Sequence, residues 1–106
     1  MADAESLMDG MRTRADALRS LGYRVRFDLT DTEESILLDA TGGGTPSVEA
    51  VSADEEADTV LRLSAADAEK LMAGKLSPML AFSTGRLRVE GSKGVALKLA
   101  GLLDED

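Results

Sequence analysis

The stretch Thr59-Val60-Leu61-Arg62-Leu63-Ser64-Ala65-Ala66-Asp67-Ala68-Glu69-Lys70-Leu71-Met72 changes its apolar period at Ser64. Before Ser64, Thr59, Leu61 and Leu63 alternate with Asp58, Val60 and Arg62, the period of two that marks a half-buried strand over 57–63. After it, Ala68, Leu71 and Met72 recur at three and four residues, the period of a helix over 65–73. Ser64 and Asp67 make a capping-box-like start, and Gly74 closes the helix. Strands followed by helices in one short chain point to an α+β domain.

Working outward toward the N-terminus, 47–52 reads as a weaker strand (Val48, Ala50), preceded by the flexible loop Gly42-Gly43-Gly44-Thr45-Pro46. Residues 34–40 alternate through Ile36, Leu38 and Ala40, and 23–30 through Tyr23, Val25, Phe27 and Leu29, with the polar turn Asp31-Thr32-Glu33 between them. Leu7, Met8, Met11, Ala15 and Leu18 predict an amphipathic helix over 5–21, closed at Gly22. Toward the C-terminus, Ser77 and Pro78 open a short helix over 78–83, as N-cap and N1 residues do, and Gly85 ends it. Residues 86–90 form a fifth strand with Leu87 and Val89 inside, and Ser92 caps a last helix over 93–103. The predicted order is α-β-β-β-β-α-α-β-α: one domain over 1–106, with a single five-stranded, mostly antiparallel sheet covered on one face by helices. Short turns suit the first four strands to an antiparallel meander.

The chain has 106 residues, enough for one core and too few for two. It contains 16 Leu, 15 Ala and 5 Met but only Tyr23, Phe27 and Phe82 as aromatics, and it has no His, Cys or Trp. Disulfides, thiol nucleophiles, Cys/His zinc sites and Ser-His-Asp triads are thereby excluded. The formal net charge of -8 argues against nucleic acid as a partner. The charges are segregated. Arg12, Arg14, Arg19, Arg24 and Arg26 share 10–26 with Asp16, and Lys70, Lys75, Arg86, Arg88, Lys93 and Lys98 share 70–98 with Glu90. The acids crowd into 28–39, 49–58 and the tail Asp104-Glu105-Asp106. Met1-Ala2-Asp3-Ala4-Glu5 is acidic and lacks an apolar core segment, and no apolar run approaches the roughly 20 residues of a span, so the reading is cytoplasmic.

The polar motifs carry little chemistry. Gly42-Gly43-Gly44 lacks the spacing and the Lys-Ser/Thr of a phosphate loop and reads as a hairpin loop, while Gly91-Ser92-Lys93-Gly94 reads as an N-cap. Asp28, Asp31, Glu33, Glu34 and Asp39 do not follow a calcium-loop pattern and read as an acidic turn. The apolar pattern is more informative. The last helix carries Val95, Ala96, Leu97, Leu99, Ala100, Leu102 and Leu103 around most of its circumference. Its second face is hidden either by packing, within the monomer or in a dimer, or by an apolar ligand lying between helix and sheet.

The run from Ser64 to Leu99 resembles the sterol carrier protein type 2 family. The resemblance lies in the capped helix, Gly74-Lys75-Leu76, Pro78, Ala81-Phe82, Gly85-Arg86-Leu87, Arg88-Val89-Glu90-Gly91 and Ala96-Leu97-Lys98-Leu99. It covers the last 40 residues or so well and extends more loosely back to residue 5. It implies a five-stranded sheet with an apolar tunnel beneath its helices, no catalysis, and no metal or cofactor. The implied ligand is a fatty acid, fatty acyl-CoA, sterol-like or isoprenoid lipid. Carried over by position, the tunnel-lining residues are Leu71, Met72, Met79, Phe82, Leu97 and Leu99, facing Phe27, Leu29 and Leu38 of the sheet. Lys75, Arg86, Arg88 and Lys93 are the candidate contacts for a headgroup or membrane phosphate. A ligand-free interaction or dimerisation module of the same fold, accessory to a lipid or quinone biosynthetic enzyme, is the alternative. The sequence departs from the family pattern at Ile36-Leu37-Leu38, where many members carry an aromatic, and it ends right after the last helix, where some members continue.

Overall fold

The computed structural model describes residues 4–104; residues 1–3 and the tail residues Glu105 and Asp106 lie outside it. The elements are α1 (Ala4–Arg14), β1 (Arg24–Leu29), β2 (Ser35–Asp39), β3 (Ser47–Val51), β4 (Thr59–Leu63), α2 (Ala65–Met72), α3 (Pro78–Ser83), β5 (Arg88–Gly91) and α4 (Lys93–Asp104). The strands form one sheet in the order β3-β2-β1-β4-β5.

β1 is central. Val25, Phe27 and Leu29 point into the core, and Arg24, Arg26 and Asp28 point to the other face. It pairs antiparallel with β2 and parallel with β4, in registers that set Phe27 beside both Ile36 and Leu61. The four-strand meander is therefore corrected. It stops at β3, and β4 joins on the far side of β1. Because β3 and β4 both run parallel to β1, residues 52–58 must travel back along the strand direction across the sheet. Side chains and backbone of β1 hold this strap on the helix-free face. The Arg26 guanidinium donates to the Glu55 carbonyl at 2.8 Å, the Arg24 guanidinium pairs with the Glu55 carboxylate at 3.1 Å, and the Arg24 backbone N–H donates to the Asp58 carboxylate at 2.8 Å. Sequence periodicity records each strand's faces but not its neighbours, so the crossing was invisible to it.

The helices lie on the opposite face, α1 against β2 and β3, and α4 against β4 and β5. The long first helix predicted over 5–21 is shorter. At Arg14 the α-helix gives way to a 3-10 turn, Ala15–Leu18. With three residues per turn, Ala15 and Leu18 fall on one line; both are buried, as is Leu21 beyond the turn. Arg14 donates to the Met72 carbonyl at 2.7 Å and to the Leu103 carbonyl at 3.4 Å, capping acceptors near the ends of α2 and α4. Ser64, Ser77 and Ser92 accept from the backbone N–H of Asp67, Leu80 and Val95 as their N-cap roles require. Asp31 accepts from the Ala65 N–H at 3.1 Å and ties the β1–β2 turn to the start of α2. The other members of that acidic turn do not converge as metal ligands, and among the described residues no group of three carboxylates does. Val48 of β3 is buried as predicted, but Ala50 is exposed.

Asp28 is the polar centre of the helix-free face. Burial disfavours its charge, but hydrogen bonds from Arg26 (2.8 and 3.0 Å) and Ser35 (2.8 Å), with the nearby Arg26 and Arg62 charges, outweigh it and hold the carboxyl below its ordinary range. A carboxyl depressed in the folded state contributes stability above its unfolded pKa of about 3.9, and that contribution is lost as pH falls through the folded value. Asp28→Asn should lower unfolding free energy by about 1–3 kcal/mol at pH 7. In urea titrations the gap from the native chain should narrow at pH 3 and below. Gly91 has φ +83, and a Cβ there would sit 2.9 Å from the Asp58 carbonyl oxygen. Gly91→Ala should cost more than about 1 kcal/mol in the same measurement.

Candidate functional site

α3 is six residues long and buries only Pro78 and Ala81. Met79, Leu80 and Phe82 are 52%, 58% and 49% exposed, and Leu97 of α4 is 58% exposed. Such exposure of large apolar side chains is unusual in a chain whose other leucines are mostly buried. Three of the four converge. Met79 and Phe82 form one wall of a groove of about 170 Å³, Leu97, Ala96 and Ala100 of α4 form the facing wall, and Leu87 and Val89 form the floor. Lys93 is the one charged side chain of the lining and stands one helical turn from Leu97 on α4.

The elements are set in place by short-range chemistry. The Lys75 and Leu76 N–H groups both donate to the Lys70 carbonyl at the end of α2, and the Arg86 and Leu87 N–H groups both donate to the Ala81 carbonyl at the end of α3. Arg86 pairs with Asp67 in the first turn of α2, its Nε 3.2 Å from one carboxylate oxygen and its terminal nitrogen on the other. The hydrogen bond from Arg86 is the main cause that lowers the Asp67 carboxyl's affinity for a proton, with burial opposing it. This clamp fixes the loop leaving α3 against α2 and keeps Arg86 off the groove.

The nine residues expected to line a tunnel divide into two sets. Met79, Phe82 and Leu97 meet at the groove. Phe27, Leu29, Leu38, Leu71, Met72 and Leu99 are at most 2% exposed and fill the layer between sheet and helices. Of the four candidate headgroup cations, Lys93 lines the groove, Lys75 is exposed on the loop between α2 and α3, and Arg86 is bound to Asp67. Arg88 alternates with Val89 on β5 and so lies on the helix-free face, at the register of Arg62. The sequence places Leu87 and Val89 on the inner side of the fifth strand, and Ala96 and Ala100 on the apolar circumference of the last helix. The one signal that marks them is the small Ala96/Ala100 pair at four-residue spacing, which leaves open volume where larger residues would close it.

A second cleft, of about 290 Å³, lies between α1 and α2 around Gly10 and Ala73. Polar links cross it at both ends, Ser6 to Glu69 at 3.0 Å and Arg14 to the Met72 carbonyl at 2.7 Å, so it is the less suited of the two to an apolar guest. Among the described residues no helix is long and apolar enough to cross a membrane.

Comparison with known proteins places this arrangement. The model of the SCP-2 sterol transfer family matches residues 4–104. The chain is 38% identical over 64 residues to hydroxysteroid dehydrogenase-like protein 2 of Xenopus laevis, covering 60% of this chain and 14% of that protein. It is 40% identical over 53 residues to sterol carrier protein 2 of Gallus gallus, covering 50% of this chain and 10% of that protein. It thus spans only a small part of these relatives' length. Among solved structures, apo sterol carrier protein 2 of Yarrowia lipolytica superposes with a TM-score of 0.66 at 25% identity, over 93% of this chain and 84% of that one. The palmitated SCP2L2 of Aedes aegypti shares the fold with a TM-score of 0.75 at 17% identity, over 99% and 96% of the two chains. With its sheet, its helical layer and nearly all of its described sequence accounted for, the chain belongs to the SCP-2 sterol transfer family, whose domains bind lipids and other apolar ligands.

Proposed function

We propose that this chain is a cytoplasmic, non-catalytic lipid carrier whose ligand enters at the groove between α3, β5 and α4. The observation that carries the reading is the convergence of Met79, Phe82 and Leu97, all about half exposed, on one apolar opening. The volume of about 170 Å³ is below the roughly 300 Å³ at which small-molecule sites begin, so the groove takes one end of a ligand as it stands. A longer chain enters by displacing α3 and repacking Leu71, Met72 and Leu99 against Phe27, Leu29 and Leu38. Met72 and Met79 suit that repacking, because a thioether chain adapts to irregular volumes. Each methylene buried contributes about 0.8 kcal/mol, enough for a fatty acid, fatty acyl-CoA, sterol-like or isoprenoid ligand to bind without many polar contacts. Lys93 stands where an anionic headgroup would leave the groove.

Native mass spectrometry of the purified chain, followed by organic extraction, should reveal a co-purified lipid, and fluorescent fatty acids should bind with an affinity that rises with chain length. Phe82→Asp and Leu97→Asp should each weaken that binding about tenfold or more. Both positions are half exposed, so the unfolding midpoint should stay close to native. A chain free of lipid and unresponsive at every chain length would end this reading.

The same exposed cluster supports one competitor, a ligand-free homodimer or interaction module joined through the Leu97 face. Light scattering separates the two. A stable dimer that becomes monomeric on Leu97→Asp, with no lipid bound in either form, would favour the module.

A further inference from the structure

The two edges of the sheet differ in what they leave open. At the β3 edge the Arg12 guanidinium donates to the Val48 carbonyl at 3.0 Å, and α1 lies against the strand. At the β5 edge Arg88, Glu90 and Gly91 are exposed. The hydrogen bonds of β4 fix which way the backbone of β5 faces. The Leu63 carbonyl accepts from the Thr30 N–H, just beyond β1, at 2.9 Å. Leu63, and by alternation Leu61 and Thr59, therefore turn their backbone groups toward β1, leaving those of Val60 and Arg62 to meet Glu90 and Arg88. The Ser92 N–H donates to the Asp58 carbonyl at 2.9 Å and keeps the same alternation. The N–H and C=O of Val89 thus point outward from the edge, a donor beside an acceptor. The charges flanking Val89 are unbalanced within the chain. Arg88 lies opposite Arg62 in the ladder, and like charges so placed repel. Arg62 is held by Glu90 at 2.7 Å and lies 3.7 Å from Asp28, whereas Arg88 pairs with no carboxylate among the described residues.

We infer that the β5 edge pairs antiparallel with the β5 edge of a second copy of this chain, about a two-fold axis at Val89. The segment Arg88-Val89-Glu90 is its own complement when the strand is reversed. Val89 exchanges two N–H to C=O bonds with its counterpart, and Arg88 of each copy falls opposite Glu90 of the other. Those flanking positions are the non-hydrogen-bonded ones, where facing side chains are closest. The carboxylate that Arg88 lacks within the chain is thereby supplied by the partner. Paired residues share a face, so both helical layers lie on one side, with the two groove floors, each formed in part by Val89, adjacent across the axis. The net charge of -8 does not oppose this arrangement. The acids crowd into 28–39 and 49–58, toward the β3 edge, and the two copies carry those regions away from each other. A contact of one four-residue strand from each copy buries little area, so the dimer is weak and forms with rising concentration. The inference is independent of the lipid-carrier reading, and its surface is not the Leu97 face.

Sedimentation velocity of the full chain over a series of concentrations should show a monomer–dimer equilibrium. Arg88→Glu sets carboxylate against carboxylate at both ends of the contact, and Glu90→Arg sets guanidinium against guanidinium. Each variant alone should weaken dimerisation about tenfold. An equimolar mixture of the two should return it to near the native level, because each chain then meets the opposite charge at both positions. A folding defect in either variant cannot be mended by mixing, which keeps the test decisive even if Glu90→Arg, which also loses its pairing with Arg62, melts early by circular dichroism. Val89→Pro removes the outward N–H while sparing the ladder to β4, and should abolish the dimer. A native chain that is monomeric at every concentration overturns the inference. So does a dimer that both charge variants keep, or one that mixing them fails to restore. A dimer lost on Leu97→Asp and unmoved by the charge variants belongs to the apolar face of α4 and overturns it as well.

Discussion

The pairing of β1 with β2 on one side and β4 on the other is the constraint on which the rest of the molecule depends. β1 has two functions, one on each face. Val25, Phe27 and Leu29 supply the middle of the apolar layer that every helix packs toward, and Arg24, Arg26 and Asp28 hold the strap that lets β4 pair parallel to β1. A strand crossing of this kind brings backbone across a sheet face, where its polar groups need partners. The two arginines provide them, and Asp28 in turn neutralises Arg26, which is only 12% exposed. That polar lattice fixes the strap that leads into β4, and α2, α3, β5 and α4 follow from β4 in the chain.

The apolar groove follows from that placement. With β4 beside β1, β5 becomes the sheet edge and α4 lies over β4 and β5. α3 then bridges from α2 to β5 at the margin of the helical layer, where only Pro78 and Ala81 find core partners. Among the described residues, its remaining large apolar side chains Met79, Leu80 and Phe82 stay about half exposed. An apolar opening arises where the layer runs out, bordered by a strand edge and by the Ala96/Ala100 side of α4. The chain's acidic character is kept away from this margin. Asp67 is occupied by Arg86, and Glu90 is turned to the helix-free face by strand alternation. The shape of the opening and the single lysine in its lining belong to this chain.

Most elements were legible in the sequence because their signals are local. Alternation over 23–30 located β1 to within a residue at each end, and three serines located three helix starts, since N-capping depends on residues three apart in the chain. The family resemblance was legible for a related reason. The run from Ser64 to Leu99 combines caps, glycines and apolar spacings in one continuous segment. The break of the first helix at Arg14 was not legible in its apolar spacing, and the guanidinium at that point reaches carbonyls of α2 and α4 that lie far away in sequence. Depth of burial was not legible in the apolar pattern. Phe82 and Leu99 look alike in an apolar pattern, yet Leu99 is 1% exposed and Phe82 49%.

By itself, then, the sequence determined the α+β class, the order of the elements, the faces of each strand and the family. All of these depend on periodicity and on caps within a few residues, which the chain carries wherever it goes. Tertiary structure alone decided that β4 lies beside β1, that six of the predicted lining residues close the core while Met79, Phe82 and Leu97 surround an opening, and that Arg86 and Arg88 are turned away from it. Those outcomes depend on which residues distant in sequence meet to satisfy buried charge and backbone. Hydrophobicity tells a side chain to leave water. The neighbours it finds decide whether it has done so.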